Sequence, residues 1–379
     1  SDVCSSDLGA CVVMDPNSGD ILALVSVPNF DPNSFVPGGV GERADWKRLL
    51  GDETKPMLNR SIGAYAPGST FKTLTALSAL ENPSAKFTPQ TVIHSPGSVY
   101  IADRWWKDWN PDGQGDITLK RGLAMSCNTF FYQLGVRTGI DSMTEMAKRI
   151  GFGERMLNGP EGEAILAGED PGTMPGKKWM EDRMAERKKR YKEQIEKWVA
   201  DGRPGPRPTP PPVERWSDGH TANTSIGQGY VRVTPLQMSV MVSAVANGGS
   251  VYRPRLVQGV AVSTEAGVKP VREFPAAVKR GDLGVKPENL AAVREGLRAV
   301  VTEGTGKNAA VKDVEVAGKT GSAQFTTRIG GGLVKDTRTW FTGFAPFKDP
   351  KYVITVIVEG GGSGGSTCAP LASEILFKI

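Results

Sequence analysis

The sequence predicts an α+β fold, with strand patterns at both ends of the chain and helical patterns between them. Residues 12–25 read as a β-hairpin, because two apolar, β-branched runs flank the turn formers Pro16-Asn17-Ser18-Gly19-Asp20. Residues 351–359 read as a strand after the Asp349-Pro350 turn. Residues 61–170 show a largely helical pattern broken by loops, and residues 290–302 read as a helix ending before Gly304.

Composition excludes several classes. The 379 residues are 39% hydrophobic and 23% charged, as in globular proteins. No run of about 18 apolar residues occurs, so no segment is expected to span a membrane. Four cysteines are too few for a disulfide scaffold, and two histidines give little support to a His-based catalytic triad. The net charge of +5 is modest and the most basic stretch is interleaved with acids, so nucleic-acid binding is not expected.

That basic stretch, 177–200, reads as one charged helix with nine Lys/Arg and five Asp/Glu. A helix of this length spans about 36 Å. Met184, Tyr191 and Trp198 recur every seven residues, with Met180 and Ile195 filling in, a narrow apolar stripe of coiled-coil type. Glu186–Arg190 and Glu193–Lys197 are i,i+4 pairs in the favoured order. A Pro-rich run from Arg203 to Pro212 then gives a stiff, extended return. Two readings of the insert 177–216 stand: a solvated helix packed lightly on its own domain, or a docking arm for a partner or for anionic glycan or lipid headgroups.

Three short motifs carry the chemistry. In Pro67-Gly68-Ser69-Thr70-Phe71-Lys72, a serine and a lysine lie three residues apart at the head of an apolar segment continued by Leu74, Leu77 and Leu80. A helix starting near Ser69 puts both side chains on one face. A serine hydroxyl needs a base, and a lysine serves if burial and nearby positive charge lower its pKa. The helix start also offers unpaired N–H groups to an oxyanion. A plain N-cap is the bland reading of Ser69. The second motif, Ser126-Cys127-Asn128, sets a hydroxyl and an amide one position apart among apolar residues. The hydroxyl can relay a proton, and the amide can donate and accept at once. Another N-cap is again the bland reading. In the third, Lys319-Thr320-Gly321-Ser322, a cation and hydroxyls suit a carboxylate, and Gly321 lets a strand approach a ligand closely. An ordinary turn or edge strand is its bland reading.

In this order the three motifs resemble the signature of the penicilloyl-serine transferases, that is, penicillin-binding proteins and serine β-lactamases. Ser69-Thr70-Phe71-Lys72 is also similar to class D β-lactamases and related β-lactam sensors. Those carry Ser-x-Val where this chain has Ser126-Cys127-Asn128. The deacylating Glu-x-x-x-Asn loop of class A β-lactamases finds no match at Glu161, Glu163 or Glu169. Other stretches resemble the class B penicillin-binding proteins: residues 9–26, Asn59-Arg60, Gly227-Gln228-Gly229, Gly304-Thr305-Gly306 and Trp340-Phe341-Thr342-Gly343. The wording at 128–132 and 227–229 is nearer to penicillin-binding protein 2 of cell elongation than to the division-specific paralogue.

The resemblance implies one domain in two lobes over 9–379, with an antiparallel sheet from both chain ends and an inserted helical lobe. It implies a peptidoglycan D,D-transpeptidase in which Ser69 attacks the stem peptide, Lys72 is the general base and Ser126 relays the proton. Asn128 would bind the donor backbone, and Lys319, Thr320 and Ser322 the terminal carboxylate. Lys319 would also help keep Lys72 neutral, and the N–H groups of Ser69 and Ser322 would form the oxyanion hole. It implies no cofactor, acylation by β-lactam antibiotics, and partners in a membrane glycosyltransferase and the elongation complex. The expected location is the periplasmic face of the bacterial inner membrane. Relatives carry an N-terminal anchor and stalk that these residues do not include, and residues 1–8 resemble a cloning or sequencing scar. The alternatives are a β-lactam sensor, or a class D-like β-lactamase, which would need a deacylation device. Cys127 is read either as a small packing residue or, with His94, Asp108 or Asp112, as a zinc ligand.

Overall fold

The computed structural model describes residues 8–35, 42–157, 165–264, 267–329 and 332–379. Glu161, Glu163 and residues 1–7 lie outside the described residues, whereas Leu8 opens the first strand opposite Glu359.

Strands from the two chain ends form one five-stranded antiparallel sheet. Its members are β1 (Leu8–Met14), β2 (Ile21–Val27), β3 (Ala317–Ile329), β4 (Gly332–Ala345) and β5 (Tyr352–Glu359), in the order β3-β4-β5-β1-β2. The 12–25 hairpin is thus present, with a bulge between Val13 and Met14. Alternate side chains enter two separate cores. Val12, Met14, Trp340, Phe344, Val353 and Ile357 face the helical lobe, while Val13, Phe341, Ile354, Val356 and Val358 face the C-terminal helix. Burial on both faces explains why β5 is apolar almost throughout.

Among the helices are α1 (Lys72–Glu81), α2 (Leu119–Ala124), α3 (Asn128–Thr138), α4 (Lys177–Ala200), α5 (Pro235–Ala246), α6 (Pro287–Thr302) and α7 (Ala369–Lys378). Helix α5 is buried along its whole length against the sheet, and α1 is buried at all positions but its last. Helix α6 starts at Pro287, three residues before the sequence pattern signals it, because proline is pre-organised for the first helical position. The 61–170 region also holds short strands that the helical pattern hides. Ser98–Ile101 pairs with Arg104–Lys107, and Ile93–Ser95 with Gly115–Ile117. These segments are three or four residues long, too short to show a period.

The insert forms the expected helix, and its stripe is covered by its own chain. Met180 and Met184 are buried, and further out Arg187, Tyr191 and Gln194 share a groove with Pro210, Pro211 and Pro212 of the return. Of the two expected i,i+4 pairs, Glu186–Arg190 is closed at 2.9 Å. The described pairs beside it are Lys178–Asp182 and Lys192–Glu196 rather than Glu193–Lys197.

Candidate active site

The Gly68–Phe71 segment is a 3-10 turn that runs straight into α1 at Lys72. Gly68 has φ +55°, and a Cβ there would lie 2.6 Å from the Ser322 carbonyl oxygen. Only glycine combines that backbone with that contact, so the turn can press against β3. The Gly68 N–H is spent on Gly227 O at 3.0 Å. Ser69 is the second residue of the turn, too early for a carbonyl within the turn to reach its N–H. Ser69 is half-buried and lines the cleft, and no side-chain cap bond is formed, so the N-cap reading of Ser69 does not hold.

Lys72 is fully buried, and its Nζ donates to Ser126 O at 2.6 Å, to Asn128 Oδ1 at 2.7 Å and to Ser126 Oγ at 3.3 Å. The first two motifs therefore meet at one ammonium 54 and 56 residues away in sequence. Among the described residues the lysine bonds to Ser126 and the Asn128 amide, and not to Ser69. Burial pulls its pKa from 10.5 down to about 7, against the acidic neighbours Cys127 and Asp108, which raise it. Lys319 is also fully buried, with Nζ donating to Thr320 O at 3.1 Å. Its pKa falls well below the usual lysine range, first through burial and then through repulsion by Lys72. Desolvation is thus the largest cause of the lowered pKa at both lysines.

Ser126 sits between α2 and α3 at φ +53°, a left-handed conformation that costs a non-glycine residue about 1–3 kcal/mol. Trp109 braces this turn by donating from Nε1 to Met125 O at 3.0 Å. Cys127 is the helix-capping position but makes no side-chain cap bond, and Asn128 turns its amide to Lys72. The N-cap reading fails here as well. Thr320 shares a 2.6 Å hydroxyl hydrogen bond with Thr305. A Cβ on Gly321 would come within 2.8 Å of Pro67 O and 3.0 Å of Thr70 Cγ2. The absence of a side chain there makes room for the Gly68–Phe71 turn, while Gly321 itself lines the cleft. Exposed Ser322 accepts at Oγ from Gly364 N–H at 3.2 Å.

Ser69, Ser126, Asn128, Thr320, Gly321 and Ser322 all line one cleft of about 580 Å³, with Lys72 and Lys319 buried behind them. Trp109, Gln228, Thr305 and the Ser363–Gly365 turn line it too. Sequence reasoning gave none of these a role, although Gly304-Thr305-Gly306 and Gly227-Gln228-Gly229 were visible as motifs. Asp108 and Cys127 meet as a hydrogen-bonded pair: the thiol donates to Asp108 Oδ2 at 3.3 Å, and that oxygen also accepts from Thr129 N–H at 2.9 Å. Burial pushes the thiol pKa up. His94 is exposed and paired with Asp116, and Asp112 is exposed in a turn. Among the described residues no three His, Cys, Asp or Glu side chains converge, so the zinc reading of Asp108 and Cys127 is not assembled. Glu169 is buried away from the cleft, where its carboxylate accepts the N–H groups of Met156 and Leu157.

Residues 9–377 match the penicillin binding protein transpeptidase domain. A peptidoglycan D,D-transpeptidase MrdA of Haemophilus influenzae is 35% identical over 97% of this chain and 52% of its own length. The chain thus spans about half the length of the curated relatives it matches. The complex of penicillin-binding protein 2 and MreC from Helicobacter pylori superposes with a TM-score of 0.75 at 27% identity, over 98% of this chain and 60% of that one. The ceftriaxone acyl-enzyme of penicillin-binding protein A from M. tuberculosis gives a TM-score of 0.74 at 26% identity, over 97% of this chain and 73% of that one. On this match, the chain belongs to the penicillin-binding protein transpeptidase domain family.

Proposed function

We propose that this chain is the catalytic domain of a peptidoglycan D,D-transpeptidase of cell-wall elongation. The observation that carries the reading is a buried lysine of near-neutral pKa, held by Ser126 and Asn128 beside a serine in a half-open cleft. Ser69 Oγ gives its proton to Lys72 and attacks the carbonyl of the penultimate D-alanine. The C–N bond to the terminal D-alanine then breaks, and the proton reaches the leaving amine through Ser126. Ser69 N–H and Ser322 N–H take the developing oxyanion charge. The leaving D-alanine's carboxylate sits on Thr320, Thr305 and Ser322, with Lys319 behind; an anion there favours the Lys319 ammonium. Asn128 holds the donor backbone. An amine of a neighbouring stem then attacks the ester; its proton passes through Lys72 and Ser126 to the departing Ser69 Oγ, which restores the serine and closes the cross-link.

Ser69 would be acylated by β-lactams, by likeness to the M. tuberculosis protein solved as a ceftriaxone acyl-enzyme. Elongation-complex proteins are the proposed partners, by likeness to the Helicobacter pylori protein solved with MreC. A membrane glycosyltransferase and a place at the periplasmic face of the inner membrane belong to the same reading. A β-lactamase would need a base for deacylation, and Glu169 is tied to backbone N–H groups elsewhere. The test is mass spectrometry after penicillin treatment. A stable adduct on Ser69, absent in Ser69→Ala, is expected; rapid turnover of a chromogenic cephalosporin would turn the assignment to a β-lactamase, and no adduct would end it.

A further inference from the structure

The short hairpin of Ser98–Ile101 and Arg104–Lys107 carries large rings on both faces, and only one face is buried. Its two-residue turn, Ala102-Asp103, has φ +48° and +64°, both positive, as the tightest hairpin turns require. That register sets Tyr100 opposite Trp105 and Val99 opposite Trp106. Side chains alternate along a strand, so Val99 and Trp106 enter the core of the helical lobe while Tyr100 and Trp105 face away from it. The Trp106 indole donates to Ile101 O at 3.0 Å and Arg104 lies over its ring, which fixes the inner face. The alternation continues past the strand: Trp106 and Asp108 are buried, whereas Trp105, Lys107 and Trp109 are exposed.

Tyr100 is 58% exposed, Trp105 65% and Trp109 54%. Grouped rings left this far in water mark a binding surface. Tyr100 and Trp105 meet edge to face with centroids 5.4 Å apart. Trp109 follows about 13 Å further along an extended chain, and there it lines the catalytic cleft. The bare area of the three rings is roughly 300–450 Å², about half of the roughly 800 Å² per partner that a stable protein interface takes. The strip is therefore narrow for a protein and suits a thread-like ligand. The Tyr100 hydroxyl, the Trp105 Nε1–H and the Lys107 ammonium have no hydrogen-bond partner among the described residues. Flat apolar faces with donors at their edges match pyranose rings, which present C–H groups on their faces and hydroxyl and acetamido groups on their rims. Because one end of the strip opens on the cleft, a sugar polymer lying there would bring its attached stems to Ser69.

We propose that Tyr100, Trp105 and Lys107 form a surface for the glycan strand itself, a polymer of N-acetylated pyranoses, outside the cleft that takes the peptide. The choice of this polymer rests on the transpeptidase reading above. The test immobilises glycan strands stripped of their stems by an amidase and passes the whole chain over them. Saturable binding is expected. Tyr100→Ala and Trp105→Ala should each weaken it about fivefold, and Trp105→Phe, which keeps a ring, should weaken it less. All three variants should be labelled at Ser69 by a fluorescent penicillin at the unchanged rate, which shows that they are folded. No binding by the unaltered protein, or equal binding by Trp105→Ala, overturns the proposal. A dimer in sedimentation velocity that Trp105→Ala dissolves would give the strip to a second copy of the chain and also overturn it. Failure of penicillin to label the unaltered protein would instead overturn the transpeptidase reading.

Discussion

Lys72 has to be neutral to accept a proton, and burial brings its pKa to about 7. The neutral fraction rises as pH rises through that value, so the acylation rate should climb about tenfold per pH unit below it and level off above. A stopped-flow series with a fluorescent penicillin reads this directly, and a flat profile would remove Lys72 as the base. Asp108 and Cys127 raise this pKa. Asp108→Asn should therefore move the rise to lower pH. At Ser126 the backbone conformation separates stability from chemistry. Ser126→Gly should melt higher than Ser126→Ala, by about 1 kcal/mol, because glycine bears φ +53° without strain. Both variants should acylate slowly. Equal melting temperatures would show that the turn carries no strain. The first two motifs were legible as a set: each on its own reads as a helix cap, and their meeting at the Lys72 ammonium excludes that. The thiol-to-carboxylate pairing of Cys127 with Asp108 was not legible, because a cysteine near acids suits a metal equally well until the distances are known.

At the scale of elements, the site is a contact between a 3-10 turn and a strand. Gly321→Ala would push Pro67 and Thr70 away from β3, and a shift of about 1 Å at a catalytic group can cost on the order of 100-fold in rate. The expected result is a large loss of penicillin acylation with a melting temperature lowered by only a few degrees; unchanged acylation would refute the close-contact account. The segment before the turn is anchored by Arg60. Its buried guanidinium and that of Arg338 both meet Glu359 on β5, at 3.0 and 2.9 Å. Glu359→Ala leaves the Arg60 guanidinium with only the carbonyls of Thr54 and Lys55 and no carboxylate, and a loss of about 3 kcal/mol in chemical denaturation is expected. Strand and helix types at the chain ends could be read from period and turn residues. The short pairings within 93–117 could not, since three residues show no alternation.

At the scale of the whole molecule, the insert is both arm and wall. Near its base Trp179 and Arg183 pack on Tyr230, and Glu214 of the return accepts from the Tyr230 hydroxyl at 3.2 Å. Tyr230 is two residues from Gln228 in the cleft. The two readings of the insert therefore apply to different parts of it. Replacing residues 188–207 by a short Gly-Ser linker should leave acylation within about twofold, whereas removing 177–216 should slow it. Equal rates in both would show that the base plays no part in the cleft. The sequence showed the helix and its stripe, but a heptad stripe does not say whether a partner or the chain's own proline return covers it.

The sheet has a further implication, for the order in which the molecule comes together. β1 lies between β2 and β5, so a strand from the first residues waits for one made more than 300 residues later. The Gly68–Phe71 turn leans on β3, which is also late. During synthesis the helical lobe can collapse on its own, while the hairpin of β1 and β2 has an open edge that the missing strands will cover. Sequence separations this wide make for slow closure and for dependence on protection of that edge in the meantime. Chains that stop before β5 should therefore bind no penicillin and should aggregate, even though all three motifs are already present in them.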